Sequence, residues 1–321
     1  MKTSVALCTY NGEKYLKEQL NSIINQTHKI DEIIVCDDQS TDSTLSILKE
    51  YDSLFPGLFQ IHVNEQNLRS VKNFEKAISL CNNDLIFLSD QDDLWQENKV
   101  ENIVSYFTNN PETNVVATNG CCLLNNETDC NRVSVWDIPN LLNEEKIKYD
   151  YFEIISSITN IATGATMAIR KDFIPHFFPI PVYHDFHHDE WIALVSSYYS
   201  SFSFYDEKLT YYRIHEDQQV GLNFFKLTIA NLKALTAVYR KSKFSEYKRA
   251  IKVTINNYNK KKAILQSNTL KKEFEDILKK GLAVDLGKIE QLSKKAKEEF
   301  PFQYILLMIS NIFTNKRTIN Q

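Results

Sequence analysis

The stretch DLIFLSDQDDLW at residues 84–95 sets an apolar run directly before three carboxylates within four residues. A short apolar run bounded by polar residues is typical of a buried strand. Carboxylates packed this closely repel one another, and a hard divalent cation among their oxygens relieves that repulsion. An acidic turn that caps the next helix has the same composition. The stretch therefore predicts a strand that ends in either a metal site or a helix cap.

Upstream of this stretch, apolar runs alternate with helical patterns. Strand-like runs lie at residues 4–8, 32–36 and 59–63, and apolar residues at helical spacing occupy 15–25, 43–51 and 71–80. This order predicts an α/β fold, with a mixed, mostly parallel sheet flanked by helices. Ligands bind beyond the carboxyl ends of strands in such sheets. We therefore expect the polar segments 9–11, 37–38 and 90–93 to meet along one edge.

The second half of the chain changes character near residue 222. Strand-like runs at 115–117, 121–124, 160–170, 202–205 and 209–213 alternate with helical patterns at 140–158 and 186–198. Beyond Gly221, glycine and proline nearly vanish and Lys-rich helical patterns dominate. We predict a catalytic domain over residues 1–221 and a basic helical region over 222–321.

Charge is divided unevenly between these two regions. The net charge is −4, but residues 222–321 hold 21 Lys and Arg against 8 Asp and Glu, a net charge of +13. The rest of the chain carries −17. An acidic region suits a cation site, and a basic region suits an anionic membrane surface, although a solvated Lys-rich helical surface has the same composition.

The six cysteines form no CxxC pair, and several lie in strand-like apolar runs. In a chain of this length we expect no disulfide framework. The amino terminus has no export-signal pattern, and the apolar stretch 300–313 is too short and interrupted to span a bilayer. We expect a cytoplasmic protein, with peripheral contact at the inner face of the cell membrane as a further expectation.

Four motifs, taken in order, resemble the successive signatures of family 2 glycosyltransferases, which are inverting enzymes with the GT-A fold. The motifs are TYNG at 9–12, DDQSTD at 37–42, Asn67-Leu68 with Asn73, and FLSDQDDLW at 87–95. The likeness extends over residues 1–221 and is greatest to the bacterial rhamnosyltransferase-like branch.

The resemblance implies a nucleotide-sugar site at the predicted sheet edge. It also implies that Mn²⁺ or Mg²⁺ is bound by Asp92 and Asp90, with His215 of a Tyr-Arg-x-His-like element completing the ligand set. The residues implied to bind the nucleotide sugar are Thr9, Tyr10, Asn11, Asp38, Asn67, Asn73, Asp90, Gln91 and Arg213.

Two further segments resemble the acceptor side of such enzymes. The segment TGAT at 163–166, with Gly164, resembles the family's segment beside the acceptor pocket, and Trp191 is expected on the same side. The run HDFHHDEW at 184–191 resembles the family's catalytic-base segment, with His188 in the first position of the usual Glu-Asp pair. This implies Asp189 as the base, with Glu190 and Asp185 as alternatives. A zinc site at His184, His187 and His188 is less favoured because the HExxH spacing is absent.

The function implied is transfer of a sugar from a nucleoside diphosphate sugar, dTDP-rhamnose or a UDP-sugar, to a saccharide or lipid-linked saccharide in surface polysaccharide synthesis. One alternative is a nucleotidyltransferase that makes a sugar nucleotide. Its triphosphate normally needs a Gly-rich basic loop, whereas residues 8–13 hold one Gly and one acidic residue. The other alternative is a non-catalytic assembly protein. The expected partners are donor, acceptor and a membrane surface or a second copy of the chain, with no nucleic acid.

Overall fold

A computed structural model describes residues 1–183, 186–216, 218, 227–267 and 270–313, apart from the side chains of 308–313. Within these residues, nine strands join in one sheet. They are β1 (Thr3–Thr9), β2 (Glu32–Asp37), β3 (Phe59–Val63), β4 (Leu85–Ser89), β5 (Leu94–Trp95), β6 (Val115–Leu124), β7 (Glu127–Asp129), β8 (Met167–Arg170) and β9 (Phe202–Ile214).

The sheet runs in the order β3-β2-β1-β4-β8-β6-β9-β5, with β7 paired to β6. The first four strands are parallel, β8 is antiparallel to both β4 and β6, and β9 is parallel to β6. Every residue of β1, β2 and β4 is buried, as expected for parallel strands covered on both faces. The predicted mixed, mostly parallel α/β sheet with a helical C-terminal region is confirmed.

Helices fill the connections between the strands and most of the C-terminal part. They are α1 (Leu16–Ile24), α2 (Thr44–Leu54), α3 (Arg69–Leu80), α4 (Lys99–Asn109), α5 (Ile138–Glu144), α6 (Tyr151–Glu153), α7 (His188–Tyr198), α8 (Ile229–Leu235), α9 (Phe244–Gln266), α10 (Lys272–Glu299) and α11 (Pro301–Phe313). The apolar faces of α1, α2 and α4 pack on the sheet around Leu20, Leu48 and Ile103, which are buried.

The chain divides into two compact units, one formed by residues 1–139 and 161–226 and the other by 140–160 and 227–321. In the second unit, the π-helical turn Ile154–Ile158 packs on α9 and α10, and α6 packs on α10 and on the turn. The predicted boundary between residues 221 and 222 lies outside the described residues and stays a prediction. Composition alone gives no signal that residues 140–160 join the helices.

Three local expectations differ from the structure. The strand predicted over 160–170 is limited to β8, because Gly164–Thr166 forms a short 3-10 turn before it. The two strands predicted within 202–213 are one continuous strand, β9. The sequence predicted no disulfide framework, whereas the β6–β7 hairpin joins Cys121 and Cys130 in a disulfide.

Among the described residues, no helix is both long enough and apolar enough to cross a membrane.

Candidate active site

The loops that follow β1 and β4 are tied together by Gln91. Tyr10 N donates to Gln91 Oε1 over 2.8 Å, and Gln91 Nε2 donates to Tyr10 O over 2.9 Å. A Cβ at Gly12 would lie 2.2 Å from Gln91 Oε1, so glycine is required for this close approach. The Gln91 amide thus holds the first loop, and the ring of Tyr10 is half exposed beside it.

The loop after β2 is joined to the first loop and to the start of α3. Thr9 Oγ1 donates to Asp37, and Thr41 N donates to Asn11 Oδ1, each over 2.8 Å. Asp38 is buried, and its two carboxylate oxygens accept hydrogen bonds from Leu68 N at 2.7 Å and Arg69 N at 2.8 Å. The Asp38 carboxylate therefore holds the segment that begins α3.

The asparagines of the third motif take part in the same network. Asn67 Nδ2 donates to Asp38 O over 3.3 Å, and Asn73 Nδ2 donates to Cys36 O over 2.9 Å. Asn64, which the sequence did not indicate, donates to both Asp38 and Asn73. The structure brings these predicted nucleotide-binding residues together, where they form hydrogen bonds among themselves and with Asn64.

Asp92 and His215 meet at the carboxyl end of β4. His215 Nε2 lies 2.9 Å from Asp92 Oδ2, and both side chains are more than four-fifths buried. The pair comes from positions 123 residues apart in the sequence. The two predicted metal ligands are thus adjacent in the fold.

The neighbouring carboxylates are held in an environment of low polarity. Loss of solvation, followed by the charges of Asp92 and Asp189, raises the pKa of Asp90 to about 8. Asp93 is buried, accepts a hydrogen bond from Arg213 N at 2.9 Å, and has a pKa raised well above its usual range by burial. Such a cluster favours either protonation or a bound cation.

A buried lysine lies behind this cluster. Burial lowers the pKa of Lys99 to about 7, opposed by the charges of Asp93 and Asp90. Its ammonium group donates to Ala165 O over 2.7 Å and to Thr210 Oγ1 over 2.9 Å. Lys99 therefore lies within electrostatic range of the aspartates while its hydrogen bonds go to other groups. No local pattern in the sequence marks this residue.

The side chains at this site fit a divalent ion that takes some of its ligands from the protein and the others from a substrate. Among the residues that the structure describes, no group of three or more His, Cys, Asp or Glu side chains is placed to hold a metal ion. Asp92 and His215 supply two ligand atoms, and an ion that binds both atoms would replace the hydrogen bond between them. Mg²⁺ and related ions commonly take one or two protein carboxylates and complete their shell with substrate phosphates and water. The zinc site considered at the three histidines falls partly on His184, which lies outside the described residues.

Asp189 and Gly164 form the other half of the predicted site. Asp189 lies in the first turn of α7, and its Oδ2 accepts a hydrogen bond from Gly164 N at 3.0 Å. Asp189 also contributes to the raised pKa of Asp90, so the two carboxylates interact. The predicted base and the predicted acceptor segment are therefore in direct contact. Glu190 follows Asp189 in the same helical turn, and the alternative base Asp185 lies outside the described residues.

His188 is buried beside this base. Its ring stacks on Phe74 with centroids 3.9 Å apart, and a Cβ at Gly164 would lie 2.7 Å from its Nε2. Burial lowers the pKa of His188 to about 4, so the ring is neutral at pH 7. Neither ring nitrogen has a hydrogen-bond partner among the described residues.

One expectation is corrected by burial, and a second one stays a prediction. Trp191 was expected on the acceptor side, but it is 0% exposed and its Nε1 donates to Phe177 O, so it packs in the core. Arg213 was expected to contact the donor; its side chain donates to Asp92 O, Asn126 and Glu18, and its contact with the donor stays a prediction. Neither Glu18 nor Asn126 belongs to a motif found in the sequence.

Comparisons with known proteins give a family match and several relatives. The family model described as glycosyl transferase family 2 matches residues 4–176. The dTDP-rhamnosyl transferase RfbG of Shigella flexneri is 30% identical over 235 residues, which are 68% of this chain and 74% of RfbG. The putative glycosyltransferase EpsE of Bacillus subtilis is 34% identical over 117 residues, 36% of this chain and 42% of EpsE.

Solved structures show the same fold at low sequence identity. S. aureus TarS 1–349 in complex with UDP-GlcNAc has a TM-score of 0.52 at 18% identity, covering 92% of this chain and 84% of TarS 1–349. The mannosyltransferase PcManGT of Pyrobaculum calidifontis, in complex with GDP-Man and Mn²⁺, has a TM-score of 0.51 at 15% identity. That match covers 99% of this chain and 81% of PcManGT.

Proposed function

The chain belongs to glycosyl transferase family 2, and on that premise we propose that it is an inverting, metal-dependent hexosyltransferase of surface polysaccharide synthesis. Its donor is a nucleoside diphosphate sugar, dTDP-rhamnose or a UDP-sugar, and its acceptor is a saccharide or a lipid-linked saccharide. The name of RfbG supports dTDP-rhamnose, and the UDP-GlcNAc complex of TarS supports a UDP-sugar.

The contact between Asp92 and His215 is the observation that carries this proposal. A carboxylate and an imidazole are brought to 2.9 Å at the sheet edge where open α/β sheets bind ligands. Asp92 and His215 would hold the ion with Asp90 beside them, and the donor's phosphates would supply further ligands. A mixed carboxylate and imidazole set suits Mn²⁺ at least as well as Mg²⁺. When bound, the ion supplies Lewis-acid stabilisation of the departing diphosphate.

Asp189 is the base in this proposal. Its carboxylate accepts the proton of an acceptor hydroxyl while that oxygen forms a bond to C1 of the sugar and the bond from C1 to the diphosphate oxygen breaks. The hydrogen bond from Gly164 N to Asp189 Oδ2 fixes the carboxylate next to the segment expected to border the acceptor. Attack from the side opposite the leaving group inverts the anomeric centre.

The direct test is release of nucleoside diphosphate from a panel of dTDP-rhamnose, UDP-glucose, UDP-GlcNAc and GDP-mannose with Mn²⁺. We expect one donor to be used, and we expect Asp92→Asn to lower kcat by a factor on the order of 100 or more while the protein stays folded. Asp52→Asn, an exposed change in α2, is the matched control. Full activity of Asp92→Asn, or of the wild type in excess chelator, contradicts the metal role.

A parallel incubation with nucleoside triphosphates and sugar 1-phosphates separates the alternative functions. A nucleotidyltransferase would release pyrophosphate from a nucleoside triphosphate and a sugar phosphate, and a non-catalytic protein would release neither product. Either result overturns the proposed function.

We further propose that the second unit contacts an anionic membrane surface that carries the acceptor. Phe302, Ile305 and Leu306 of α11 are 71%, 57% and 52% exposed and lie on one face of the helix at i, i+3 and i+4 spacing. Residues 222–321 carry a net charge of +13. Each Lys near an anionic surface contributes about 1 kcal/mol, and exposed apolar side chains add shallow insertion.

A further inference from the structure

Arg213 near the end of β9 is a buried cation, and each of its three side-chain nitrogens donates to a protein group. Its side chain is only 4% exposed, which is rare for an arginine unless it is paired. Nε donates to Asp92 O over 2.6 Å, Nη1 donates to Asn126 Oδ1 over 3.0 Å, and Nη2 donates to Glu18 Oε2 over 2.6 Å. The guanidinium also lies 4.5 Å from the centre of the Tyr15 ring.

These contacts join three distant parts of the first unit. Glu18 is on α1, Asn126 is at the tip of the β6–β7 hairpin, and Asp92 is in the loop after β4. Glu18 is 195 residues from Arg213 in the sequence and Asn126 is 87 residues away. The backbone N–H of Arg213 also donates to Asp93. A single side chain thus fixes the acidic loop against two other elements.

The same residue precedes His215 on the main chain. His215 follows Arg213 by two positions, and its imidazole is 2.9 Å from Asp92 Oδ2. The Arg213 side chain holds the main chain of Asp92, and the Arg213 main chain carries His215. The distance between the two predicted ligand atoms therefore depends on the position of the guanidinium.

We propose that Arg213, Glu18 and Asn126 form a clamp that positions the Asp92–His215 pair for its metal ion. In this clamp Arg213 is a positioning residue and not a ligand of the donor's diphosphate. Glu18 neutralises the buried guanidinium from the exposed side, with 53% of its own side chain accessible, and Asn126 fixes the other nitrogen. This inference rests on the proposed metal-dependent transfer. It adds residues of α1 and of the β6–β7 hairpin to those that support the metal site.

A different role for Glu18 would give a different experimental result. If Glu18 only occupies Arg213 until a diphosphate replaces it, removing the Glu18 charge frees the guanidinium for the nucleotide. Glu18→Gln would then bind a nucleoside diphosphate more tightly than the wild type. If Glu18 is part of the clamp, the same change weakens metal binding and leaves metal-free nucleotide binding unchanged.

The test compares Glu18→Gln, Asn126→Ala and Arg213→Lys with the wild type. Glu50→Gln is the matched control. Glu50 lies on α2 and is 52% exposed, and it forms an ion pair of 2.9 Å with Lys17, which is next to Glu18 on α1. The measurements are the Kd of MnCl₂ alone and with dTDP or UDP, the Kd of each nucleotide in chelator, and kcat and KM for the donor. Thermal unfolding shows that each variant is folded.

We expect the three clamp variants to lower kcat and raise the Kd of Mn²⁺ by roughly 10- to 100-fold, as changes to residues that orient metal ligands commonly do. KM for the donor and the Kd of nucleotide in chelator should stay within about twofold, and Glu50→Gln should match the wild type.

Two results overturn the clamp. One is a Glu18→Gln variant that behaves like Glu50→Gln, even if Arg213→Lys fails to fold. The other is a Glu18→Gln or Arg213→Lys variant whose nucleotide affinity in chelator changes severalfold in either direction. Both results leave wild-type transfer intact, whereas a wild type that uses no sugar nucleotide removes the proposed function itself.

Discussion

Gly12 and Gln91 show how closely two loops of the candidate site depend on each other. A methyl group at Gly12 would meet Gln91 Oε1 at 2.2 Å and Gln91 Cδ at 2.5 Å. We expect Gly12→Ala to lower the free energy of unfolding by about 1–3 kcal/mol, because the Gln91 side chain must move and lose its bonds to Tyr10.

The double variant Gly12→Ala with Gln91→Ala removes this conflict. Its loss of unfolding free energy in urea should be smaller than the sum of the two single losses, since both act on one contact. Gly287→Ala is the control, because a Cβ there meets nothing within 4 Å. Additive losses from the two single changes would show that the contact is not formed.

His188 makes the stability of the first unit depend on pH. Burial lowers the pKa of His188 to about 4 in the folded chain, while an unfolded histidine titrates near about 6.5. Between these values the unfolded chain binds a proton that the folded chain does not. The contribution of His188 to the free energy of unfolding should therefore rise with pH across this window, by at most about 1.4 kcal/mol per pH unit, and then level off. The raised pKa values of Asp90 and Asp93 contribute a slope of the opposite sign, so the contribution of His188 is read from the difference between the wild type and a His188 variant.

His188→Phe should remove this contribution and make the slope of unfolding free energy against pH less positive than in the wild type, because the phenyl ring keeps the stacking on Phe74 and has no nitrogen to protonate. The measurement is urea unfolding at intervals between pH 4 and 7. His176→Phe, a change at an exposed histidine stacked on Phe173, is the control. An unchanged slope in His188→Phe would contradict the assigned cause.

The sequence predicts some residues of the site and not others. Asp92, His215, Asp189 and Gly164 lie in short motifs that resemble those of a known family, and the structure places them in two contacting pairs. Glu18 belongs to no motif, and its contact with Arg213 forms only when α1 and β9 are folded together. Trp191 was assigned by its place in a motif, but its burial depends on packing that no local pattern shows.

Within the second unit, helices α9 and α10 are joined by a buried ion pair. Lys261 Nζ lies 2.9 Å from Asp285 Oδ2, with the two side chains 5% and 0% exposed. The π-helical turn binds both partners, since Lys261 donates to Ser156 O and Ser157 donates to Asp285 Oδ1. A Cβ at Gly281 would lie 2.8 Å from Lys261 Cδ, so glycine makes room for the lysine.

Breaking this pair on one side should be costly. We expect Asp285→Asn to lower the free energy of unfolding of the second unit by about 3–5 kcal/mol, because a buried ammonium loses its counter-charge. Replacing both partners, as Lys261→Met with Asp285→Leu, should recover most of that loss, since the desolvation of two charges is removed as well.

The control for this pair is Glu275→Gln, which breaks the exposed Lys279–Glu275 pair on the same helix α10. That change should cost far less than Asp285→Asn, because an exposed ion pair is screened by water and salt. Urea unfolding followed by circular dichroism measures all these variants. Equal losses from Asp285→Asn and Glu275→Gln would contradict a stabilising role for the buried pair.

Elements were predicted best where both faces of the sheet are covered. Strands β1, β2 and β4 are continuous apolar runs because both of their faces are buried, and such runs stand out in a sequence. A helix after the acidic stretch was considered only as the one that stretch would cap, without bounds; in the structure β5 lies between them and α4 begins at Lys99, with Asn98 as its N-cap. The parallel pairing of β6 with β9 was not predicted, because it joins residues about ninety positions apart.

For the whole molecule, the uneven charge and the exposed face of α11 lead to a prediction about membranes. The wild type should sediment with vesicles that contain phosphatidylglycerol, and less so with neutral vesicles or at high salt. Phe302→Ser with Ile305→Ser should weaken vesicle binding at least roughly tenfold, because each buried apolar side chain contributes about 1.5–3 kcal/mol.

Leu54→Ser is the control for this prediction, since Leu54 is a 62% exposed apolar residue of the first unit. Equal binding by the wild type and the α11 variant would refute membrane contact through this helix. If the same variant instead converts a dimer to a monomer in sedimentation, the face of α11 binds a second copy of the chain.

The central claim is that Asp92 and His215 hold a divalent ion together with the donor's diphosphate. Electron–nuclear double resonance of Mn²⁺ bound to the protein in the presence of dTDP or UDP tests it most directly. We expect the ion to couple to phosphorus of the nucleotide and to an imidazole nitrogen, and we expect the nitrogen coupling to disappear in His215→Phe. A spectrum with phosphorus coupling but no nitrogen coupling, unchanged in Asp92→Asn, would contradict it.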